Sequence, residues 1–173
     1  MNKIIIAGPS GAGKTSLGKI IANKLSIPLI DLDSINWLPG WEMRSHEELR
    51  EIVAEKTLKE SWVISGNYFK LRQITWNNAD AVIWLDYSFR ICLWRCLKRA
   101  FKSICTKNNV CGENTETLLR LFSRNSVLFY LTKYRELKKR YMNLMQSIDY
   151  QHLSFTRLSS PKKTELWLKS YLY

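Results

Sequence analysis

Gly8-Pro9-Ser10-Gly11-Ala12-Gly13-Lys14-Thr15 reads G-x-x-x-x-G-K-T, and it stands between the apolar run Ile4-Ile5-Ile6-Ala7 and a helix-patterned stretch from Ser16 to Leu25. Strand, glycine loop and helix N-terminus in that order aim a row of backbone N–H groups at one point, where the helix dipole also favours negative charge. The glycines let the loop curl around phosphates, with Gly8, Ser10, Gly11, Ala12, Gly13 and Ser16 as its lining. Lys14 supplies an ammonium for the outer phosphates, and the Thr15 hydroxyl can ligate a magnesium ion. The flanks separate this pattern from a glycine turn that merely joins strand to helix. The chain is therefore expected to bind a nucleoside triphosphate.

Working outward, 173 residues with 46% hydrophobic content supply one well-packed core and not two, so residues 1–173 read as a single domain. A strand follows directly on Met1-Asn2-Lys3 with no charged-then-apolar leader, and no run approaches the roughly 18 apolar residues of a membrane span, which predicts a cytoplasmic protein. Cys92 and Cys96, four apart in a helical pattern, read as core thiols. Cys105 and Cys111 lack the C-x-x-C pairs of a structural zinc site. The net charge of +12 is concentrated: from Arg90 to Tyr141 there are thirteen basic residues and three acidic ones. Such a segment can be a solvated helix face, a lid that closes on phosphates or a nucleic-acid footprint.

Apolar runs alternate with helical patterns along the chain. Ile27–Ile30, Ser61–Ser65, Ala81–Asp86 and His152–Leu158 read as further strands. Helices are expected at 45–60, 88–102 and 162–171, with two more between 115 and 147 and irregular chain from 103 to 115. Strands separated by helices require parallel crossovers. The expected fold is a three-layer α/β P-loop NTPase architecture, a five-stranded parallel sheet with helices on both faces and a helical lid at about 103–125. Ligands collect outside the carboxyl ends of such strands. The sharpest candidates there are Asp31 and Asp33, which period two along an extended chain points to one side. Two carboxylates at that position can hold magnesium's waters and accept a proton from an attacking hydroxyl. The alternative is that Asp33 merely caps the next segment.

The phosphate loop, the stretch Leu32-Asp33-Ser34-Ile35-Asn36-Trp37-Leu38-Pro39-Gly40-Trp41, the strand end Ser65-Gly66-Asn67-Tyr68 and the helix entry Leu85-Asp86 resemble the adenylate-kinase-related P-loop nucleotide kinases named DNA topology modulation (FlaR-type) proteins. The likeness covers nearly the whole chain. Many NTPases share the loop, whereas the Asp-x-x-x-Trp-x-Pro-Gly-Trp run is more particular. The resemblance implies ATP as donor, Mg2+ as cofactor and transfer of the γ-phosphoryl group to a nucleoside monophosphate or similar small acceptor. It implies donor-gripping arginines at Arg95 and Arg99, nine and thirteen residues beyond Asp86, and a lid arginine at Arg120 or Arg124. Ser159-Ser160-Pro161 resembles the loop that packs on adenine. Asp33, Trp37, Trp41, Gly66, Asn67, Tyr68 and Arg72 fall on the acceptor side, and Thr15, Asp31 and Asp33 on the metal side. Related kinases commonly carry an acidic residue where this chain has Ser65, which leaves metal binding to Asp31 and Asp33.

Phosphoryl transfer asks a protein for two substrates held in line, a metal, and cations that follow developing charge. A phosphate loop, a carboxylate pair and a basic closing segment meet those needs, and a lid also excludes water. Two other classes use the same loop: a nucleic-acid-associated NTPase reading backbone phosphates with residues 90–141, and a binder that holds nucleotide without catalysis. No helix-turn-helix, zinc-finger or RNA-binding signature supports the first. Shikimate- and gluconate-type kinases share this layout, so the acceptor stays open, as does the oligomeric state.

Overall fold

The computed structural model describes residues 1–106, 109–110, 114–115 and 127–172. Five parallel strands, β1 (Lys3–Ala7), β2 (Leu29–Asp31), β3 (Trp62–Ser65), β4 (Ala81–Leu85) and β7 (Ser154–Leu158), form a sheet in the order β2-β3-β1-β4-β7. β1 lies between β3 and β4, with Ile5 opposite Ile64 on one side and Val82 on the other. The central strands are apolar at nearly every position because both of their faces are covered. Ile5, Ile64, Val82 and Trp84 pack on one side with α3 (His46–Thr57), α7 (Tyr134–Met145) and the Leu71 and Trp76 side chains that flank α4 (Arg72–Thr75). Ile4, Ile6, Val63, Ile83 and Leu85 pack on the other with α1 (Lys14–Leu25), α5 (Phe89–Thr106), α6 (Val127–Thr132) and α8 (Pro161–Leu172). The three layers are those expected from the strand and helix alternation.

Local chemistry sets the boundaries. Ser45 accepts from the Glu48 N–H at 3.2 Å and so starts α3, with Glu47 and Glu48 in its first turn. β7 begins at Ser154, two residues later than expected, because the Leu153 N–H closes a turn on the Tyr150 carbonyl. α5 runs on to Thr106, through positions expected to be irregular, since Ala100 and Ser103 continue its buried face at helical spacing. Beyond Thr106 the described part of the expected helical lid departs from expectation: β5 (Asn109–Val110) pairs antiparallel with β6 (Asn114–Thr115). Arg120 and Arg124 lie outside the described residues. Among those residues, no helix is long and apolar enough to cross a membrane.

Candidate active site

The phosphate loop follows β1 and is held from both faces of the sheet. Gly8 has φ 144°, and a Cβ there would stand 2.6 Å from the Leu85 carbonyl oxygen; at Gly11, with φ 79°, it would stand 2.4 Å from that of Cys92. Side chains at these positions would collide with β4 and α5 as well as strain the backbone. Gly13, also left-handed, precedes Lys14 and starts α1. Cys92 and Cys96, both buried, form the floor beneath Gly11, and burial pushes the Cys92 thiol up to about 11. They are core thiols, as their spacing suggested.

An extended chain through Asp33 was the basis for placing both carboxylates on one side, and the structure corrects it. Leu32 is buried beneath Gly66, the chain turns there into α2 (Leu32–Asn36), and Asp33 falls in that helix's first turn. Asp31, not Asp33, occupies the cap position. Both carboxylates still act on one ammonium. Lys14 is 9% exposed, and burial lowers its pKa against the opposing charges of Asp33 and Asp31. Its Nζ donates to the Pro9 carbonyl at 3.2 Å. Burial, reinforced by the charge of Asp33, raises the Asp31 carboxyl above its usual range.

Ser65, which replaces the acid of related kinases, bridges the two sides. Its hydroxyl lies 3.1 Å from the Thr15 hydroxyl and donates to Asp31 Oδ1 at 3.2 Å, while Ser34 donates to Asp31 Oδ2 at 3.3 Å. Tyr68 donates its hydroxyl to Asp33 Oδ1 at 3.1 Å. Thr15, Ser65, Asp31 and Asp33 thus form a set of hard oxygen donors in which the charge of Asp33 disfavours that of Asp31. That set fits a magnesium ion. Among the described residues no group of three or more His, Cys, Asp or Glu that could hold a metal ion occurs.

Arg95 reaches the loop from α5, and Arg99 stands one turn further along that helix. Arg95 Nη1 donates to the Ala12 carbonyl at 3.2 Å, with its guanidinium 5.5 Å from the Tyr87 ring centre, and Arg99 depresses the Lys14 pKa by its charge. Ser160 accepts from the Lys163 N–H at 3.2 Å and caps α8, so Ser159, Ser160 and Pro161 form the β7–α8 corner at the same sheet end. In the segment expected to face the acceptor, Trp37 and Trp41 meet edge to face at 5.5 Å. Asn114 of β6 accepts from the Trp41 N–H at 2.8 Å and donates to the Leu38 carbonyl at 3.0 Å, joining this segment to the expected lid.

Two residues stand apart from these neighbours. The Arg72 guanidinium lies over Tyr150, before the amino end of β7 and so toward the opposite end of the sheet, and its Nε is buried with no hydrogen-bond partner. The Asn67 amide pairs with the Gly8 backbone rather than facing the acceptor segment. The sequence reading missed the bridging role of Ser65, Tyr141 behind Asn67, and the ion cluster in which buried Asp86 accepts from Arg157 at 2.6 Å and Lys138 at 3.1 Å. The periodic Leu137, Tyr141 and Leu144 marked a buried face, but nothing in the sequence said what it covers.

The model of the ATPase family associated with various cellular activities (AAA) matches residues 4–86, from β1 to Asp86. Shikimate kinase of Bacteroides thetaiotaomicron is 45% identical over 56 residues, 32% of this chain and 29% of that protein. Mouse threonine synthase-like 1 is 39% identical over 57 residues, 33% of this chain and 8% of that protein. The matched stretch is thus less than a third of either relative. Likeness to solved structures runs through nearly the whole chain. The crystal structure of the Bacteroides thetaiotaomicron shikimate kinase covers 98% of this chain and 96% of its own at TM-score 0.57 and 17% identity. Shikimate kinase from Acinetobacter baumannii in complex with shikimate covers 99% and 91% at TM-score 0.61 and 18% identity. At that identity the likeness defines a class by fold: the chain has the three-layer α/β P-loop NTPase fold. Within that class, it shares the chain layout of those two shikimate kinases.

Proposed function

We propose that the protein is an ATP-dependent phosphotransferase that moves the γ-phosphoryl group of ATP to a small acceptor, with a nucleoside monophosphate as the first acceptor class to test. The observation that carries this reading is the hydroxyl chain from Thr15 of the phosphate loop through Ser65 to Asp31, with Asp33 held by the Tyr68 hydroxyl and both carboxylates opposing the charge of Lys14. A mere nucleotide holder needs the lysine and the loop but not a second carboxylate.

In this reading Lys14 leaves the Pro9 carbonyl for the outer phosphates and follows the charge that develops on the transferred group. Asp33, oriented by the Tyr68 hydroxyl, aligns the acceptor's attacking oxygen and takes its proton. Arg95 and Arg99 grip the donor, Trp37 and Trp41 present aromatic surface to the acceptor, and Ser159 to Pro161 border the base. Thr15, Asp31 and Asp33 would hold magnesium, with Ser65 tying Thr15 to Asp31; when bound, the ion would supply positive charge to offset that of the donor's phosphates. The FlaR-type resemblance is compatible with this chemistry and adds no separate activity to it.

A second acceptor class, a small hydroxy acid of the shikimate type, is favoured by the fold likeness to shikimate kinases. The test is a screen of γ-labelled ATP and magnesium against nucleoside monophosphates and small hydroxy acids. Label transferred to any member supports the reading and assigns the class. Label appearing only as inorganic phosphate, stimulated by nucleic acid, favours the nucleic-acid-associated NTPase instead.

A further inference from the structure

The side chain of Asn67 is occupied by the phosphate loop. The Gly8 N–H donates to its Oδ1 at 3.0 Å, and its Nδ2 donates back to the Gly8 carbonyl. A second donor meets the same oxygen: the hydroxyl of Tyr141, 74 positions away on α7, at 2.9 Å. An amide oxygen has two lone pairs, so Oδ1 has no accepting capacity left for a substrate. Turning the amide over would set N–H against N–H and oxygen against oxygen at Gly8.

Tyr141 is built to hold still. It is 1% exposed, its ring stacks on Trp84 at 5.6 Å and packs against Phe69 at 5.4 Å, and burial raises its pKa so that the hydroxyl is a neutral donor. On the opposite side of the Gly8 peptide stands the Leu85 carbonyl, too close to admit a Cβ. The first peptide of the cradle is therefore gripped between β4 and Asn67, and the direction in which it leaves β1 sets the course of the N–H groups that follow. Lys138, on the same helix as Tyr141, pairs with Asp86 at the end of β4. α7 thus contacts both Asn67, which holds the loop, and Asp86.

We propose that Asn67 and Tyr141 are positioning residues for the nucleotide: Tyr141 fixes the Asn67 amide, and Asn67 fixes the Gly8 peptide in its phosphate-receiving orientation. This rests on the reading of the loop as an ATP site, and it moves Asn67 from the acceptor side to the donor side. Neither side chain touches the phosphates. They act through Gly8.

The test uses the full chain, calorimetric titration with ATP and magnesium, and thermal melting of the same preparations. Tyr141→Phe keeps the ring and its packing and removes only the hydroxyl. It is expected to weaken ATP binding about 3- to 10-fold while the melting temperature changes little, and Asn67→Ala to weaken it about 10-fold or more. Because Tyr141 acts through Asn67, Tyr141→Phe should add no further loss in the Asn67→Ala background. ATP affinity unchanged in both variants overturns the proposal, as an acceptor-binding or purely structural Asn67 would leave donor affinity intact. Additive losses in the double variant overturn the link between the two. Should Asn67→Ala fail to fold, Tyr141→Phe carries the test alone. A folded wild-type chain that takes no ATP overturns the ATP reading and this proposal together, and so is distinguished from failure of the proposal by itself.

Discussion

The phosphate loop and the segment from Asp31 to Trp41 open at the same end of one sheet but are held in different ways. Gly8 is pinned through its own N–H and carbonyl, Gly11 rests on α5, and Arg95 ties Ala12 to the same helix. The acceptor segment has a five-residue helix, two half-buried indoles and a corner in which Gly40 and Trp41 take φ of 74° and 62°. Among the described residues, Asn114 of β6 holds it through two hydrogen bonds. A triphosphate has a single shape, so its cradle can be local and rigid. An acceptor pocket must be assembled from distant pieces, and its identity is correspondingly harder to read.

Breaking the donor half should have the largest consequence. Lys14→Ala is expected to cut phosphoryl transfer by about 10³-fold or more, since it removes the cation that follows the outer phosphates. The fold should survive, because the substitution removes a buried charge rather than core packing. Transfer rates and melting curves of one preparation check both parts. Breaking the acceptor half should act on transfer alone. Asp33→Asn keeps size and hydrogen bonding, so ATP affinity measured without magnesium should hold while transfer falls about 10²-fold, within the range for a lost positioned acid or base. Unchanged transfer would demote Asp33 to a structural helix residue, and lost ATP binding would move it into the donor half.

Tyr68→Phe sharpens the same distinction with a smaller effect. It leaves Asp33 charged but frees its orientation, and transfer should fall by less than about 10-fold with no change in ATP affinity. The smallest effect is on stability. A carboxyl whose pKa is raised on folding binds its proton more readily in the folded state, so stability falls as pH rises through the region above 3.8. Asp31→Asn removes that loss. The variant should melt slightly higher than the wild-type chain near neutral pH and lose this advantage below pH 4, as melting curves at the two pH values would reveal.

How much was legible in advance follows the same division. The loop with its lysine and hydroxyl could be read because their spacing is fixed within one strand–loop–helix unit, whereas Arg95 and Arg99 were implied by the family resemblance. The parallel sheet followed from apolar runs alternating with helices. Asp31 and Asp33 were found for a reason the structure corrects: they share a site because Leu32 is buried and turns the chain, not because the chain stays extended. Ser65 looked like a missing charge and is a bridge between Thr15 and Asp31. Asn67 and Arg72 were assigned by their place after β3, yet side-chain direction turns one toward Gly8 and the other toward Tyr150. Pairings such as Tyr141 with Asn67 span 74 positions, and no local pattern announces them.

The central claim, that the loop from Gly8 to Thr15 is a nucleotide site organised around Lys14, is tested most directly by calorimetric titration of ATP with magnesium into the wild-type chain and Lys14→Ala side by side. The account predicts one nucleotide bound per wild-type chain and binding lost or sharply weakened in the folded variant. Equal binding to both, or none to the folded wild-type chain, would contradict it.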